Sequence, residues 1–300
     1  MEDGGSPRIA ICGAGISGLT LAGILARALR GTAARIAVFE RAPRDRDQGY
    51  GLDLNEHGQE ALARAGVYDR YWEISRQRSD KFAMCAPSSI EPLSFGYRPP
   101  WLMEHFPGHF HARPESNREK LRDVLLDALA THGNNNSVHF ETAAWDIREI
   151  AGAEGSTAEL LDEDGGSLGV YDLVIDAMGL HSRLREHRVH DPLGVHYEGA
   201  VVIHGMVENP EATFPPDLMQ AFELYGTIMS VCDGYRMVIQ RFGGGEGDNR
   251  TSMNYTVARE DGEDGVYAEL GFEKPTSREG GIMRGERLAR VKEWIKADVK

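Results

Sequence analysis

The chain has 300 residues, of which 41% are hydrophobic and 27% are charged, a composition typical of a globular protein with room for two domains or one large α/β unit. Its formal net charge of −14 argues against binding to nucleic acid or to an anionic membrane, because phosphate contacts need clusters of Lys and Arg. Its three scattered cysteines show neither CxxC nor metal-binding spacing, which favours a reducing, cytoplasmic compartment without disulfides.

The amino-terminal region begins with a short apolar run, residues 9–12, which predicts a buried strand. The glycine-rich turn G-A-G-I-S-G and an Ala/Leu-rich helix follow it. Gly13 would permit the tight turn, Gly15 would let the backbone approach a pyrophosphate, and Gly18 would let the helix lie near the sheet. The unpaired amides of the first helical turn would then face the phosphates. The cofactor-binding candidates in this turn are Gly13, Gly15, Ser17 and Gly18.

A second strand-like run, residues 35–39, ends in Glu40, which lies 22 residues after Gly18. A carboxylate at this place accepts hydrogen bonds from an adenosine ribose. This order of elements, a strand, the glycine turn, a helix, a second strand and an acidic residue, predicts a dinucleotide site. The alternative is a glycine-rich helix start that binds no ligand. The pattern alone does not distinguish FAD from NAD.

The middle of the chain predicts further alternating elements. A short strand at 52–54 precedes a helix at 56–65, which Asn55 can cap and Gly66 can end. The other predicted helices of this part are at 67–78 and 115–132. The other predicted strands are at 80–86, 90–95 and 138–140, in a meander at 145–150, 157–161 and 167–171, and in a buried run from 172 that ends at a glycine.

Beyond residue 196 the pattern changes to long alternating runs, which predict an antiparallel sheet and hence a second domain. Its predicted strands are at 201–207, 225–231, 235–242 and 252–257. We expect a dinucleotide-binding domain from 1–75 and 108–195, and a sheet domain from 76–107 and 196–280. A helix at 281–300 is expected to return toward the dinucleotide-binding domain.

Other constellations predict no separate chemistry. Glu104, His105, His109 and His111 suggest a metal site, but ordinary histidines on a strand that enters a pocket are favoured, and no metal is predicted. Ser182 lacks a nucleophile-elbow pattern and is expected to cap a helix. The sequence assigns no catalytic residue.

Three stretches, in order and spacing, resemble the class A flavoprotein monooxygenases of the p-hydroxybenzoate hydroxylase type. The first is the glycine turn with Glu40, and the second is the R-x-x-L-x-x-x-L helix start at Arg118. The third is D-A-M-G-L-H-S-R-L-R at 176–185, similar to that family's D-G-x-x-S-x-x-R segment. The tetracycline-inactivating flavin monooxygenases show a particular likeness. The resemblance implies a Rossmann-type FAD-binding domain with an interleaved antiparallel-sheet substrate domain.

The resemblance also implies roles for individual residues. Glu40 would hold the adenosine ribose of FAD, Arg118 would reach the flavin or its phosphate linker, and Asp53 would lie along the cofactor. The remaining implied cofactor contacts are Arg41, Arg46 and Gly179. His204, a polar residue in an apolar strand, stands where relatives contact substrate, and Met229 is a second substrate candidate. For each of these two, a packed position in the core is the alternative.

The reaction implied by the resemblance starts with reduction of FAD by NAD(P)H, which binds transiently because the sequence has no second GxGxxG. Oxygen is then captured as a flavin C4a-hydroperoxide and passed to an aromatic or polycyclic small molecule. The cofactor carries this chemistry, while the protein orients the substrate and keeps water away.

The sequence departs from the family pattern in two places. Met178 stands where the family has the Asp of its D-G pair, which raises the question of how NAD(P)H is handled, since a thioether is a weak acceptor. The family's other flavin motif, G-D-A-A-H, does not occur in these 300 residues. Three interpretations stay open: a C-terminally truncated sequence, a flavin site completed by a second chain, or a flavin-fold protein with a non-redox role in small-molecule binding or catalysis.

Overall fold

The computed structural model of the protein describes residues 6–46, 51–76, 82–85, 115–132, 135–152, 155–188, 196–232, 234–241, 251–274 and 285–298. The strands in chain order are β1 Arg8–Cys12, β2 Arg35–Phe39, β3 Gly51–Asp53, β4 Ser75–Arg76, β5 Phe82–Cys85, β6 Glu115–Asn117, β7 Asn136–His139, β8 Asp146–Gly152, β9 Gly155–Leu161, β10 Ser167–Tyr171, β11 Leu173–Asp176, β12 Ala200–Val207, β13 Thr227–Cys232, β14 Tyr235–Arg241 and β15 Thr251–Ala258. The helices are α1 Ile16–Ala28, α2 Glu56–Ala65, α3 Tyr68–Ile74, α4 Arg118–Thr131, α5 Arg183–Arg188, α6 Pro210–Thr213, α7 Pro216–Tyr225, α8 Gly262–Leu270 and α9 Gly285–Asp298.

The amino-terminal half is built on a parallel sheet with the strand order β11-β1-β2-β7. Successive residues of β1 point to opposite faces, so Ile9 and Ile11 pack with α1, α2 and α4, whereas Ala10 and Cys12 pack on the other side. Because both faces are covered, the strand reads as a continuous apolar run. In the β1-α1-β2 unit, two parallel strands are joined by a helix, in the predicted order.

The second face of this sheet is covered by an antiparallel meander with the order β10-β9-β8. Leu160 and Tyr171 of the meander join Phe39 in a separate apolar cluster, and the Phe39 and Tyr171 rings meet edge to face at 6.0 Å. The predicted meander is therefore confirmed, with strand ends shifted by one or two residues.

The carboxyl-terminal half holds a five-stranded sheet with the order β12-β15-β14-β13-β5. Neighbouring strands of this sheet are antiparallel, except that β13 and β5 are parallel. Strand β5 comes from the earlier 76–107 stretch of the chain. One face is covered by helices: Phe222 of α7 packs on Ile228, and Val266 of α8 packs with Tyr255 and Val257. The alternation in the sequence thus correctly predicted the antiparallel pairing of these strands, to which β5 adds one parallel pair.

Helix α9 packs on this same sheet. Val291 is buried in the cluster that contains Val201 and Tyr255, and the Trp294 ring lies 6.1 Å from that of Tyr255. We expected this helix to return toward the dinucleotide-binding domain. Its apolar stripe instead packs on the five-stranded sheet.

Several predicted boundaries were wrong. The helix expected at 115–132 begins at Arg118, because the Asn117 side chain accepts from the Glu119 and Lys120 amides while residues 115–117 pair with β3. The helix expected at 67–78 ends at Ile74. Tyr225, expected on a strand, ends α7. The strand expected at 90–95 lies outside the described residues. No helix among the described residues is both long and apolar enough to cross a membrane.

Candidate functional site

The turn between β1 and α1 requires two of its glycines for steric reasons. Gly13 has φ +111°, and a Cβ there would lie 2.5 Å from the carbonyl oxygen of Ala177. A Cβ on Gly18 would lie 2.0 Å from the Gly13 carbonyl oxygen. The first motif is therefore packed directly against the residue that follows β11, where the third motif begins.

Gly15 has a different role, because nothing lies within 4 Å of where its Cβ would be. It is the N-cap of α1 in an extended conformation, and no side chain caps the helix. The amides of Gly15, Ile16 and Ser17 donate to no acceptor among the described residues. Uncapped amides at the positive end of a helix dipole, beside open space, form a binding place for an anion. The Ser17 side chain is exposed at this opening.

Glu40 lies immediately after β2 and faces the turn. Its Oε2 accepts from the Ala14 amide at 3.0 Å, and its Oε1 accepts from the Ala42 amide at 2.9 Å. A carboxylate offers about four lone-pair sites, so these two bonds leave acceptor capacity on each oxygen. The predicted ribose-binding carboxylate is thus held rigidly next to the predicted diphosphate turn.

Arg122 on α4 contacts the glycine turn, and the sequence reasoning did not single it out. Its side chain is only 3% exposed; Nε donates to the Ala14 carbonyl at 3.2 Å, and a terminal nitrogen donates to the Arg44 carbonyl. The guanidinium also lies 5.3 Å from the centre of the Phe140 ring. A signal was present, because Arg122 occupies an i, i+3, i+7 stripe with Leu125 and Leu129, both buried.

The other cofactor candidates surround this region. Arg118 is the first residue of α4 and is half-buried. Asp53 is exposed at the end of β3 and pairs in register with Glu115 of β6, the strand that leads into α4. Arg41 is exposed and Arg46 half-buried in the segment that follows Glu40. The structure thus brings Glu40 onto the glycine turn through hydrogen bonds. The pairing of β3 with β6 places Gly51, and not Asp53, opposite the residue that precedes Arg118.

The third motif forms a compact turn after β11. Asp176 accepts from the Met178 amide at 3.0 Å and from the Ser182 hydroxyl. The Ser182 oxygen in turn accepts from the Arg185 amide at 3.0 Å, which confirms that Ser182 caps a helix. Gly179 has φ +76° and is exposed. The Met178 side chain packs in the apolar cluster beneath the meander, so this departure from the family pattern serves packing.

Cys12 is a free, buried thiol directly before the glycine turn. Burial, reinforced by the nearby Asp176 charge, raises the pKa of Cys12 to about 12. The sulfur is therefore protonated at neutral pH and is not a nucleophile.

The two substrate candidates share one face of the five-stranded sheet. Strand register places His204, Asn254, Val238 and Met229 in one row across β12, β15, β14 and β13. This face is opposite to the one that α7, α8 and α9 cover, and its Val202 is 56% exposed. His204 itself is exposed, so the alternative of a core histidine was wrong. Met229 is half-buried.

The His204 ring has a defined partner within this row. Its Nδ1 lies 2.6 Å from Oδ1 of Asn254. An amide oxygen only accepts, so Nδ1 donates the hydrogen bond of this pair. The row therefore combines one polar pair with apolar side chains, which suits contact with a polar-substituted aromatic ring.

No group of metal-ligating side chains occurs within the described ranges, and Glu104 and the histidines at 105, 109 and 111 lie outside them. A cleft of about 400 Å³ lies at the opposite ends of the parallel strands, where Arg8 and Arg35 begin β1 and β2. It is not adjacent to the glycine turn and includes none of the predicted site residues.

Comparison with known proteins gives sequence relatives, although no protein-family model matches the chain. It is 30% identical over 213 residues to a 3-amino-4-hydroxybenzoate 2-monooxygenase of Streptomyces cremeus, covering 67% of this chain and 46% of the relative. It is 25% identical over 240 residues to a salicylate hydroxylase of Pseudomonas putida, covering 79% of this chain and 50% of the relative. The chain thus spans about half the length of the curated relatives that it matches.

Solved structures share the fold. Klebsiella pneumoniae HpxO complexed with FAD superposes with a TM-score of 0.62 at 22% identity, over 88% of this chain and 62% of that chain. A tetracycline destructase superposes with a TM-score of 0.52 at 13% identity, over 98% and 63%. The relatives and the shared fold confirm the family resemblance that the three motifs indicated.

Proposed function

We propose that this homologue of the class A flavin-dependent aromatic hydroxylases binds FAD at the β1-α1 turn. We further propose that it works as an NAD(P)H-consuming monooxygenase of an aromatic or polycyclic small molecule. One observation carries the proposal: the uncapped amides of Gly15, Ile16 and Ser17 face open space beside the Glu40 carboxylate, which two hydrogen bonds hold in place. The named sequence relatives, which act on hydroxylated aromatic acids, support the substrate class.

The residues present fit the cofactor. The amides and the Ser17 hydroxyl would take the diphosphate, and Glu40 would take the adenosine ribose with its remaining acceptor sites. Arg118 and Asp53 would contact the flavin half. The remaining proposed contacts are Arg41, Arg46 and Gly179. A negatively charged chain needs such local donors, since its overall field disfavours an anionic ligand.

Bound FAD supplies the electron transfer and oxygen chemistry. The protein's own part is to hold the cofactor and to orient the substrate. His204 would contact the polar substituent of the substrate while Asn254 fixes its ring, and Met229 would contact the ring of the substrate in the same row. The donor NAD(P)H would bind transiently, because the sequence has only one dinucleotide motif.

The partners follow from the same features. We propose a small-molecule substrate, a cytoplasmic supply of reductant, and neither nucleic acid nor membrane as a ligand, given the net charge of −14. The chain spans about half the length of its relatives.

Two measurements on the purified chain test this function. We expect a yellow protein, or one that becomes yellow with added FAD, and NADPH oxidation that increases when salicylate or a related phenolic acid is added. Substrate-independent NADPH oxidation with release of H₂O₂ would support cofactor binding without coupled hydroxylation. A colourless protein that FAD does not change would refute the proposal and favour a non-redox role.

A further inference from the structure

Arg122 is a buried cation without a carboxylate partner among the described residues. Its side chain is 3% exposed and donates to two main-chain carbonyls, of Ala14 and Arg44. Burying a charge in a protein costs several kcal/mol unless an opposite charge or a full set of hydrogen bonds offsets it. A long apolar side chain at this place would pack against Leu125 and Phe140 without that cost. Packing alone therefore does not account for a charged side chain at this place.

The two hydrogen bonds of Arg122 connect the two sides of the proposed cofactor site. Ala14 belongs to the glycine turn, and Arg44 belongs to the segment that follows Glu40. Ala14 is also held from its other side, because its amide donates to Glu40 at 3.0 Å. Both polar groups of this one residue are thus fixed, the amide by an anion and the carbonyl by a cation.

This arrangement determines where the next amide points. In a planar trans peptide the carbonyl of one residue and the amide of the following residue point in opposite directions. Because the Ala14 carbonyl points to the buried guanidinium, the Gly15 N–H points away from it. That amide donates to no described acceptor, and the space at the Gly15 Cβ position is open.

We propose that Arg122 is a positioning residue of the diphosphate site, which aims the Gly15 amide through Ala14 and places a buried positive charge behind the turn. The inference rests on the proposed FAD site and adds to it a residue outside the arginine position that the family motif assigns, which is Arg118. A diphosphate bound in front of the turn provides the opposite charge that Arg122 lacks in the described part of the chain. The charge then strengthens binding of the diphosphate specifically and leaves recognition of the adenosine unchanged.

The test compares ligands with and without the diphosphate. ADP, adenosine and FAD are titrated calorimetrically into the wild-type chain, Arg122→Met and Arg122→Lys. Arg27→Met is the control for the loss of an arginine that donates to two carbonyls, of Ala63 and Arg64, both at 3.0 Å. Arg27 is exposed, and its partners lie at the end of α2, away from the glycine turn. Thermal unfolding of each variant without ligand reports on the fold.

We expect Arg122→Met to weaken ADP and FAD binding by about 10- to 100-fold, the effect of losing a charge-assisted contact network. Its adenosine affinity should stay within about threefold of wild type, while its melting temperature without ligand reports the balance between the removed buried charge and the two carbonyls that lose their donor. Arg122→Lys keeps the charge but cannot reach both carbonyls, so its ADP affinity should lie between those of wild type and Arg122→Met. Arg27→Met should bind ADP like the wild type.

Three results would overturn the inference. Arg122→Met could bind ADP as tightly as wild type, or it could lose ADP and adenosine affinity equally, which is the outcome of a merely structural role. If Arg122→Met does not fold, Arg122→Lys decides, and wild-type ADP affinity in that variant would contradict the positioning role. A wild-type chain that binds neither ADP nor FAD would instead refute the proposed function, whatever Arg122 does.

Discussion

Substitutions at two glycines of the turn, Gly15 and Gly18, should have opposite effects. A side chain at Gly15 should reduce cofactor binding with little loss of stability, whereas one at Gly18 should reduce the stability of the fold. Gly15 has φ −74° and ψ 177°, which any residue adopts, and open space at its Cβ position. Gly15→Val should therefore fold, with a loss of about 1 kcal/mol for a poorer N-cap. Gly18→Ala would place a Cβ 2.0 Å from a carbonyl oxygen, so the main chain must move, at a cost of about 3 kcal/mol or more.

Gly15→Val should strongly reduce the affinity for FAD, although it changes stability little. Its valine side chain would fill the space in front of the uncapped amides and keep a diphosphate from reaching them. Two lost hydrogen bonds to a charged group, at roughly 1.5–3 kcal/mol each, amount to about 3–6 kcal/mol, or a 10²- to 10⁴-fold weaker affinity for FAD.

Urea unfolding and an FAD titration followed by flavin fluorescence measure the two quantities separately. The expected signature is a Gly15→Val protein with near-normal unfolding and little FAD binding, and a Gly18→Ala protein with clearly lower stability. Wild-type FAD affinity in folded Gly15→Val would show that the diphosphate does not lie at this turn.

Three further predictions concern single residues. Glu40→Gln should lower the affinities for ADP and for adenosine by about 10-fold each, since it alters the ribose acceptor and the hydrogen bonds from the Ala14 and Ala42 amides. Unchanged affinities in a calorimetric titration would contradict the role of Glu40. The pKa of Cys12 is raised from 9.0 to about 12, so between these pH values the folded thiol keeps its proton while the unfolded thiol loses it. The free energy of unfolding should therefore fall as the pH rises from 9 toward 12. Urea unfolding across this pH range should show a smaller fall in Cys12→Ala. His204→Ala should raise KM for a phenolic acid by about 10-fold while FAD affinity, measured in parallel, stays constant; an unchanged KM would remove His204 from the substrate site.

The sequence predicted best where a local rule and the tertiary structure agree. Asn55 caps α2 by accepting from the Gly58 amide, and Gly66 ends it in a left-handed conformation, as the residue types indicated. The start of α4 was misplaced because residues 115–117 gain partners in β3, a long-range pairing that helical periodicity does not reveal. Helices α7 and α8 were missed although Pro216 at the first position of α7 is a recognised start signal.

The candidate site was predictable to the extent that its chemistry is local. Gly13, Gly15, Gly18 and Glu40 follow a fixed spacing, and the structure places the carboxylate against the turn. Arg122 was not predicted, because its partners are main-chain carbonyls far away in sequence, and a carbonyl leaves no signature in the residue types. A charged residue in an apolar helical stripe was the signal available.

The charge of the chain links these observations. With a net charge of −14, the electrostatic field of the whole chain repels a diphosphate. Salt screens this repulsion, with a Debye length of about 10 Å at 0.1 M ionic strength. Attraction must then come from groups within a few ångströms of the ligand, and the uncapped amides of α1 and the buried Arg122 are such groups. ADP affinity of the wild type should therefore change little, or rise, when salt is increased from low concentration, whereas a site built from exposed lysines and arginines would lose affinity. A steep loss of ADP affinity with salt would place the diphosphate on exposed cations and away from the β1-α1 turn.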